Sequence, residues 1–450
     1  MPRKARTGTP LSQPIFGEPV FNEPVITPDP SGFTVPHPSD NQVFGQIRDL
    51  LTKDVVSFDP SRGKPGDLFT LAAALGPHGP EIVNGIQGNG KIVFHSAGDT
   101  GASNIQRLGN EVSVADQVTE DIHSAQTADR PAFFYHLGDV VYNFGESKFY
   151  FDQFYDPYRN YSAPILALAG NHDSFIVPGT LAAQNPLAIF SRNFCAAVPT
   201  ITPEAGSLHR TAMTQPGVYF TLDAPFVRII GLFSNALEDP GVISSQGGKF
   251  AAVPDLQLAY LTAQLQRVKD EKYKGAVLLA VHHPPFSYSP APKKPGSGGN
   301  HGSSTDMLRE IDTICSKVGV YPHAFLSGHA HNYQRYTRTV RFGGQDFDVP
   351  FVVCGDGGHN VNFLVQARAG QPPRDPTNGS DVSYLEQKPA VDVRGLLLER
   401  FDDRNFGYLR ISVDKDQLRI GFHQVSTGSL AQSLMDMVTV DLASHTMVSN

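Results

Sequence analysis

The chain has 450 residues, of which 40% are hydrophobic and 18% charged, and its formal net charge is −8. This length suits one large domain or two to three ordinary ones, and a pI near 6.0 argues against a surface that coats nucleic acid. The three cysteines, Cys195, Cys315 and Cys354, lie far apart and predict neither a disulfide framework nor a cysteine-based zinc motif. The apolar runs are too short to cross a bilayer, and no apolar segment follows the basic residues 1–6. The sequence therefore predicts no membrane span and no secretory signal, with a cytoplasmic location as the default and non-classical export as the alternative.

The composition changes along the chain and divides it into three parts. Residues 1–45 are rich in proline and predict an extended arm, with a motif that recruits a partner as the alternative interpretation. Residues 46–90 predict a lead-in segment that packs on the domain. Residues 91–450 predict the main domain.

From about residue 90, short apolar runs alternate with segments of helical periodicity. In chain order the pattern predicts a strand at 92–94, a helix at 111–123, a strand at 133–135, a helix at 147–158, a strand at 164–168, a helix at 255–269, a strand at 275–281, a helix at 305–318, a strand at 324–326 and a hairpin at 407–412 and 417–424. This alternation is typical of an α/β sheet domain with helices packed outside. Residues 174–216 and 366–393 predict loops, and loops at the rim of a site usually set its choice of substrate.

Five polar motifs follow directly on predicted strands. They are Gly98–Gly101, Gly138–Tyr142, Gly170–Asp173, Val281–Pro284 and Gly328–His331. Ligands of open α/β sheets bind beyond the carboxyl ends of the strands. The motifs are therefore expected to converge in space although they are far apart in sequence.

Together the motifs supply donors for two metal ions side by side. The predicted ligands are Asp99, Asp139, Tyr142 and His331 for the first ion and Asp139, Asn171, His282 and His329 for the second, with Asp139 as the bridge. Two such ions can activate a water and neutralise the charge of a phosphoryl transfer. The alternative interpretation, turn residues and satisfied core histidines, is disfavoured because all the motifs share the same place at strand ends.

The donor types make the two predicted ions unequal. Two carboxylates and a phenol suit Fe(III), whereas an amide, a shared carboxylate and two imidazoles suit Zn(II), Fe(II) or Mn(II). Charges of +3 and +2 against three anionic ligands leave a net charge of about +2, which favours a phosphate ester in the cleft.

The five motifs are similar to those of the metallophosphoesterase superfamily, and more particularly to those of the purple acid phosphatases. Most superfamily members resemble Asp-x-His at the first motif, whereas this chain has Gly101 in place of that histidine and Tyr142 in the second motif. This exchange is the purple acid phosphatase pattern. Residues 332–335 and 355–358 also resemble the plant-type enzymes. The resemblance covers roughly residues 91–365.

This resemblance implies a four-layer αββα sandwich, a coloured Fe(III)–M(II) centre and acid phosphatase activity, with residues 91–450 as the catalytic domain. The implied reaction is attack of a metal-bound hydroxide on a phosphate monoester, so the expected partner is a small phosphorylated substrate. A phosphodiesterase or nucleotide hydrolase on the same scaffold is the alternative. A partner-binding protein with a vestigial site is a weaker one, because every ligand position is intact. The sequence leaves the oligomeric state open.

The resemblance also implies two histidines near the scissile oxygen, where they orient phosphate or protonate the leaving group. His172 is the first, and Asp173 is expected to orient it. His301 is the candidate for the second, with His283 and His359 as alternatives.

Overall fold

The computed structural model describes residues 67–174, 187–234, 237, 239–288, 301–364, 389–426 and 432–448. The predicted arm at 1–45, part of the lead-in segment and most of the predicted loop at 366–393 lie outside these residues. No helix in the described part of the chain is long and apolar enough to cross a membrane.

The described residues form fifteen strands. They are β1 (Phe69–Thr70), β2 (Lys91–Ala97), β3 (Phe134–His136), β4 (Ile165–Ala167), β5 (Phe220–Ala224), β6 (Val227–Leu232), β7 (Ala276–Val281), β8 (Ala324–Ser327), β9 (Tyr333–Phe342), β10 (Gln345–Cys354), β11 (Leu396–Asp402), β12 (Phe406–Asp414), β13 (Gln417–Val425), β14 (Gln432–Asp441) and β15 (Thr446–Val448).

The same residues form six α-helices. They are α1 (Leu71–Ala74), α2 (Gly79–Asn89), α3 (Ile105–Ser124), α4 (Ala188–Phe194), α5 (Leu256–Asp270) and α6 (Thr305–Val318). Short 3₁₀ turns lie at Gly76–His78, Thr127–Asp129, Ser147–Phe149, His172–Ser174 and Pro203–Ala205, and a π-helical turn at Phe151–Tyr155.

The strands form two sheets that pack face to face. One sheet has the order β1-β5-β6-β7-β8-β10-β9-β11 and the other the order β15-β14-β13-β12-β2-β3-β4. The rings of Tyr333 and Phe422 stack across the two sheets, with centroids 4.0 Å apart. Helices α5 and α6 contact each other beside β6 of the first sheet, whereas α2 contacts β2 and α3 contacts β12 and β13 of the second. The layers confirm the predicted α/β fold class, the four-layer αββα sandwich.

Most predicted elements of the sheet domain are confirmed. The predicted strands at 92–94, 133–135, 164–168, 275–281 and 324–326 correspond to β2, β3, β4, β7 and β8, the predicted helices at 255–269 and 305–318 to α5 and α6, and the predicted hairpin to β12 and β13. Helix α3 begins before the predicted residue 111, because the Asn104 side chain caps it by accepting the backbone N–H of Arg107 at 3.0 Å. Helix α4 lies within the predicted loop at 174–216.

The predicted helix at 147–158 is wrong. The segment folds instead into a 3₁₀ turn and a π-helical turn. Its consecutive residues Gln153, Phe154 and Tyr155 are all buried, and an amphipathic α-helix does not bury three neighbours on one face. The Gln153 side chain also brackets the backbone of Tyr142, accepting its N–H at 2.8 Å and donating to its carbonyl oxygen at 2.7 Å.

His323 is a buried histidine that joins two neighbouring segments of backbone. Its Nδ1 accepts the N–H of Val277 at 3.0 Å, and its Nε2 lies 3.2 Å from the carbonyl oxygen of Leu442. The ring also stacks on His445, with centroids 3.8 Å apart. Burial lowers the pKa of His323 from 6.5 to about 4, because a charged imidazolium is poorly solvated there.

This pKa predicts a loss of stability in acid. The unfolded chain takes up the proton near pH 6.5 and the folded chain only near pH 4, so the contribution is present above pH 6.5 and is lost as the pH falls through 4. A difference of about 2.5 pH units corresponds to about 3 kcal/mol. Chemical denaturation across this range is expected to show a smaller acid-induced loss in His323→Gln than in the wild type. His123→Gln, at an exposed histidine, is the control, and an unchanged acid loss in His323→Gln would contradict the assignment.

Candidate metal centre

The predicted ligands meet where strands of both sheets end. Asp99, Asp139 and Asn171 follow the parallel strands β2, β3 and β4, while His282 and the His329–His331 segment follow β7 and β8 of the other sheet. All seven predicted ligand residues are at most 7% exposed. The centre therefore lies inside the sandwich, between the carboxyl ends of two sheets.

The first predicted ligand set is brought together around the Tyr142 phenol. Its oxygen lies 3.0 Å from Asp99 Oδ1, 2.9 Å from Asp139 Oδ2 and 3.2 Å from His331 Nε2. Asp99, Asp139 and His331 also form a group whose ligand atoms could hold one metal ion.

The second predicted set is brought together around the Asn171 amide. Its Oδ1 lies 2.9 Å from His282 Nε2 and 3.0 Å from His329 Nδ1. His282 Nε2 is 3.4 Å from Asp139 Oδ2, and Asp139, His282 and His329 form another group that could hold a metal. Asp139 belongs to both groups, as its predicted bridging position requires.

The electrostatics of this centre suit cations. Burial and the neighbouring carboxylates of Asp139 and Asp99 raise the pKa of the Tyr142 phenol well above its usual range. Burial opposes the charging of His282, but the Asp139 carboxylate outweighs it and raises the pKa of His282 to about 9. Carboxylates, a phenol, an amide oxygen and imidazole nitrogens converge in a buried space. This donor set fits two metal ions.

Hydrogen bonds outside the centre orient two of the predicted ligand side chains. Nδ1 of His282 lies 2.8 Å from the carbonyl oxygen of Leu137, and Nδ1 of His331 lies 2.8 Å from Oδ1 of Asn360. In both rings Nε2 is thereby the nitrogen that faces the other ligands. Partners of this kind fix the tautomer and the ring orientation of metal-binding histidines.

Three of the predicted ligands lie at strained backbone positions. Asp99, Asp139 and His329 have φ angles of 56°, 57° and 67°. Residues with side chains rarely adopt such angles, because each costs about 1–3 kcal/mol and persists only where the surrounding structure enforces it. The strain lies in the turns that direct these three side chains into the centre.

At two positions of the centre, neighbouring atoms come so close to the backbone that only glycine fits. A Cβ at Gly101 would lie 2.5 Å from the Val140 carbonyl oxygen and 2.8 Å from Gln153 Oε1. The backbone thus leaves no room for a histidine at the first motif. A Cβ at Gly170 would lie 2.1 Å from Asp139 Oδ1 and 2.3 Å from the Asp139 backbone nitrogen.

Gly170→Ala is therefore expected to displace Asp139, to lower the metal content and to destabilise the fold by about 1–3 kcal/mol. Gly85→Ala is the matched control, because a Cβ at that position in α2 meets nothing within 4 Å. It should stabilise the fold by about 0.5–1 kcal/mol. Metal analysis and thermal unfolding measure both effects. Wild-type metal content and stability in Gly170→Ala would refute the steric argument.

His172 lies beside the first ligand group, with its ring centroid 4.3 Å from that of Tyr142. Its Nδ1 is 2.8 Å from the carbonyl oxygen of Asn143, and this contact orients the ring. The expected role of Asp173 needs correction. Its carboxylate accepts the backbone N–H groups of Val140 at 3.0 Å and of Gly170 at 2.9 Å. Asp173 therefore braces the loops that carry the ligands, while Asn143 orients His172.

The candidates for the second catalytic histidine differ in their hydrogen bonds. Both ring nitrogens of His283 are engaged, by Ser234 at 2.8 Å and the Leu237 carbonyl at 2.5 Å. Those of His359 are engaged by the Gly101 carbonyl at 2.6 Å and Arg107 at 2.5 Å. With these hydrogen bonds, His283 and His359 hold neighbouring segments of the site in place.

His301 is half-buried at the edge of the centre. Its ring centroid lies 4.0 Å from that of His329 and 5.3 Å from that of His331. The next residue is held by Asp239, whose Oδ1 accepts the Gly302 N–H at 3.0 Å. Asp239, His301 and His329 also form a third group of possible metal ligands. The structure thus brings His301 to the site despite its distance from His282 in sequence.

Sequence reasoning missed four residues that serve this site, namely Asn143, Asn360, Asp239 and Arg107. Asn143 follows Tyr142 directly, and Asn360 follows the Gly355–Gly358 segment, so position next to a motif was the available signal. Asp239 and Arg107 lie in no motif.

The model of the calcineurin-like phosphoesterase family matches residues 95–333. One similar solved structure is that of GAP50, the anchor in the inner membrane complex of Plasmodium, at 12% identity and a TM-score of 0.46, covering 77% of this chain and 89% of that chain. Another is a structure of PhoD, at 12% identity and a TM-score of 0.48, covering 80% of this chain and 72% of that chain. No curated protein matches the chain.

The family match spans more than half of the chain, from β2 to the start of β9, and includes every residue of the two ligand groups. The chain belongs to the calcineurin-like phosphoesterase family and is a metal-dependent phosphoesterase.

Proposed function

We propose that the protein hydrolyses phosphate monoesters of small molecules as a purple-acid-phosphatase-like enzyme. The observation that carries this proposal is the position of Tyr142. Its phenol oxygen lies within 3.2 Å of three other ligands, while Gly101 leaves no space for a histidine. This exchange of ligands distinguishes the purple acid phosphatase pattern from the rest of the superfamily.

The donor chemistry suggests which ion each group would hold. Asp99, Asp139 and Tyr142 offer hard anionic oxygens with one imidazole from His331, a combination suited to Fe(III). The group of Asn171, His282 and His329 with Asp139 suits Zn(II), Fe(II) or Mn(II). Two bound ions of this kind supply an activated water and neutralise negative charge at phosphorus.

The side chains around these groups have separate tasks in the proposed reaction. His172, with Nδ1 held by Asn143, presents Nε2 to an oxygen of the phosphate. His301, at the half-buried edge of the centre, donates a ring N–H to the oxygen of the leaving alcohol. The buried ligand shell excludes water from the other faces of the phosphate, which strengthens these contacts.

Assays on the purified protein test the proposal. Iron and a second metal are expected in about equal amounts, with faster hydrolysis of aryl phosphate monoesters than of the matching diesters. A preference for diesters would instead identify a phosphodiesterase, and two divalent metals without iron would overturn the assignment of the first ion. Loss of monoesterase activity in His172→Ala and His301→Ala, at unchanged metal content, would support their proposed roles.

A further inference from the structure

One wall of the first ligand group is built by His359. Its ring stacks on that of Tyr142, with centroids 3.5 Å apart and an interplanar angle of 16°. Nδ1 of His359 lies 2.6 Å from the carbonyl oxygen of Gly101, so this nitrogen carries the proton and donates it. Nε2 is then an acceptor, and it receives a hydrogen bond from Arg107 Nη1 at 2.5 Å. His359 thus separates Arg107 from the metal ligands by the width of one ring.

Arg107 is held in place near the start of α3. Its Nη1 also donates to Ser103 Oγ at 2.6 Å, and its backbone N–H bonds the cap residue Asn104. Both side-chain bonds use the same nitrogen of the guanidinium, and both partners are neutral. Arginine has five N–H donors in a planar fork, so the group retains capacity for an anion.

Among the described residues, no carboxylate balances the charge of Arg107. Among the residues that the structure describes, no Asp or Glu oxygen lies within the 4.0 Å of an ion pair with its guanidinium. The side chain is only partly exposed, and a partly buried cation without a counter-ion is costly. An anionic ligand at this position would remove that cost.

We propose that Arg107 binds a second anionic group on the substrate, so that the site prefers phosphate monoesters whose leaving group carries a further phosphate or a carboxylate. This inference rests on the proposed phosphomonoesterase function. Only the His359 ring lies between Arg107 and Tyr142, so a leaving group that extends from the phosphorus atom on this side comes within reach of the guanidinium. Arg107 is then a specificity-determining residue. Its hydrogen bonds to Ser103 and His359 fix the orientation of the guanidinium.

The test compares ligands with one and with two anionic groups. Binding of inorganic phosphate and of pyrophosphate to the metal-loaded protein is measured by calorimetry, which needs no turnover. Arg107→Gln is expected to weaken pyrophosphate about 10- to 100-fold, the loss of a charged hydrogen-bonded pair, while phosphate changes less than about twofold. Arg404→Gln, at an exposed arginine paired with Asp403, is the control of equal charge and should change neither affinity.

Steady-state kinetics with a phosphorylated hydroxy acid and with an uncharged aryl phosphate form the second arm. If Arg107→Gln raises the KM for the phosphorylated hydroxy acid more than it weakens the binding of pyrophosphate, the second anionic group is a carboxylate. If it weakens the binding of pyrophosphate more, the second anionic group is a phosphate. The proposal is overturned if Arg107→Gln weakens the binding of ligands with one and with two anionic groups equally, or weakens the binding of neither. If Arg107→Gln does not fold, Arg107→Lys, which keeps the charge, must retain part of the pyrophosphate preference. Absence of turnover on every monoester would refute the proposed function but not the binding result.

Discussion

Replacing Asp139 by asparagine is expected to remove both metal ions and to lower phosphoesterase activity by about 10³-fold or more, which corresponds to about 4 kcal/mol of transition-state stabilisation. Asp139 is the residue that both ligand groups share, and its Oδ2 lies 2.9 Å from the Tyr142 oxygen and 3.4 Å from His282 Nε2. Loss of one charged oxygen therefore affects both ions at once. Metal analysis and assays on the same sample measure the two losses together.

Asparagine is the suitable replacement at this position. Asp139 has a φ of 57°, which asparagine tolerates better than alanine does, so the turn is preserved. The amide oxygen of the new side chain can also keep the bond that Asp139 Oδ1 accepts from the His172 N–H at 2.8 Å. Asp121→Asn serves as the control, because it removes a buried carboxylate that pairs with His95 and Arg410 away from the centre. Full occupancy of one metal with activity within about tenfold of wild type would show that Asp139 is not a shared ligand.

Replacing Tyr142 by phenylalanine is expected to abolish the visible absorption band that the proposed tyrosinate–Fe(III) pair would produce. The substitution removes one oxygen and keeps the ring. The ring centroid lies 3.5 Å from that of His359 and 4.3 Å from that of His172, and these contacts hold the local structure. The second metal should stay bound, because the phenol belongs to the first group alone. Absorption spectra and separate measurements of iron and of the second metal test this expectation.

A matched tyrosine provides the control for this spectrum. Tyr150 is buried near the same loops, and its hydroxyl has no hydrogen-bond partner among the described residues. Tyr150→Phe is expected to leave the band and the metal content unchanged. A colourless wild type, or a band that survives in Tyr142→Phe, would contradict the proposed ligand role of Tyr142.

The surroundings of His172 differ from the expected ones. The family resemblance led to the expected pairing of His172 with Asp173, its neighbour in the chain. The folded backbone turns the Asp173 carboxylate towards the N–H groups of Val140 and Gly170, and Asn143 holds the imidazole instead. A short distance in sequence does not determine which way two neighbouring side chains point.

The helix expected at 147–158 failed for a related reason. Its aromatic residues fit a helical period, but the side chain of Gln153 is drawn inward by two hydrogen bonds to the Tyr142 backbone. This tertiary contact and the burial of Phe154 and Tyr155 beside it outweighed the local preference.

The sequence by itself predicted seven of the strands, β2, β3, β4, β7, β8, β12 and β13, and the seven polar residues that the structure brings together around Tyr142 and Asn171. It could do so because strands have a local apolar signature and each motif follows one directly. Only the tertiary structure decided that the ligands come from two sheets packed face to face, that His301 reaches the centre, and that His359 and Arg107 form one wall of it. These features depend on contacts between residues far apart in the chain, and packing sets such contacts without leaving a local pattern.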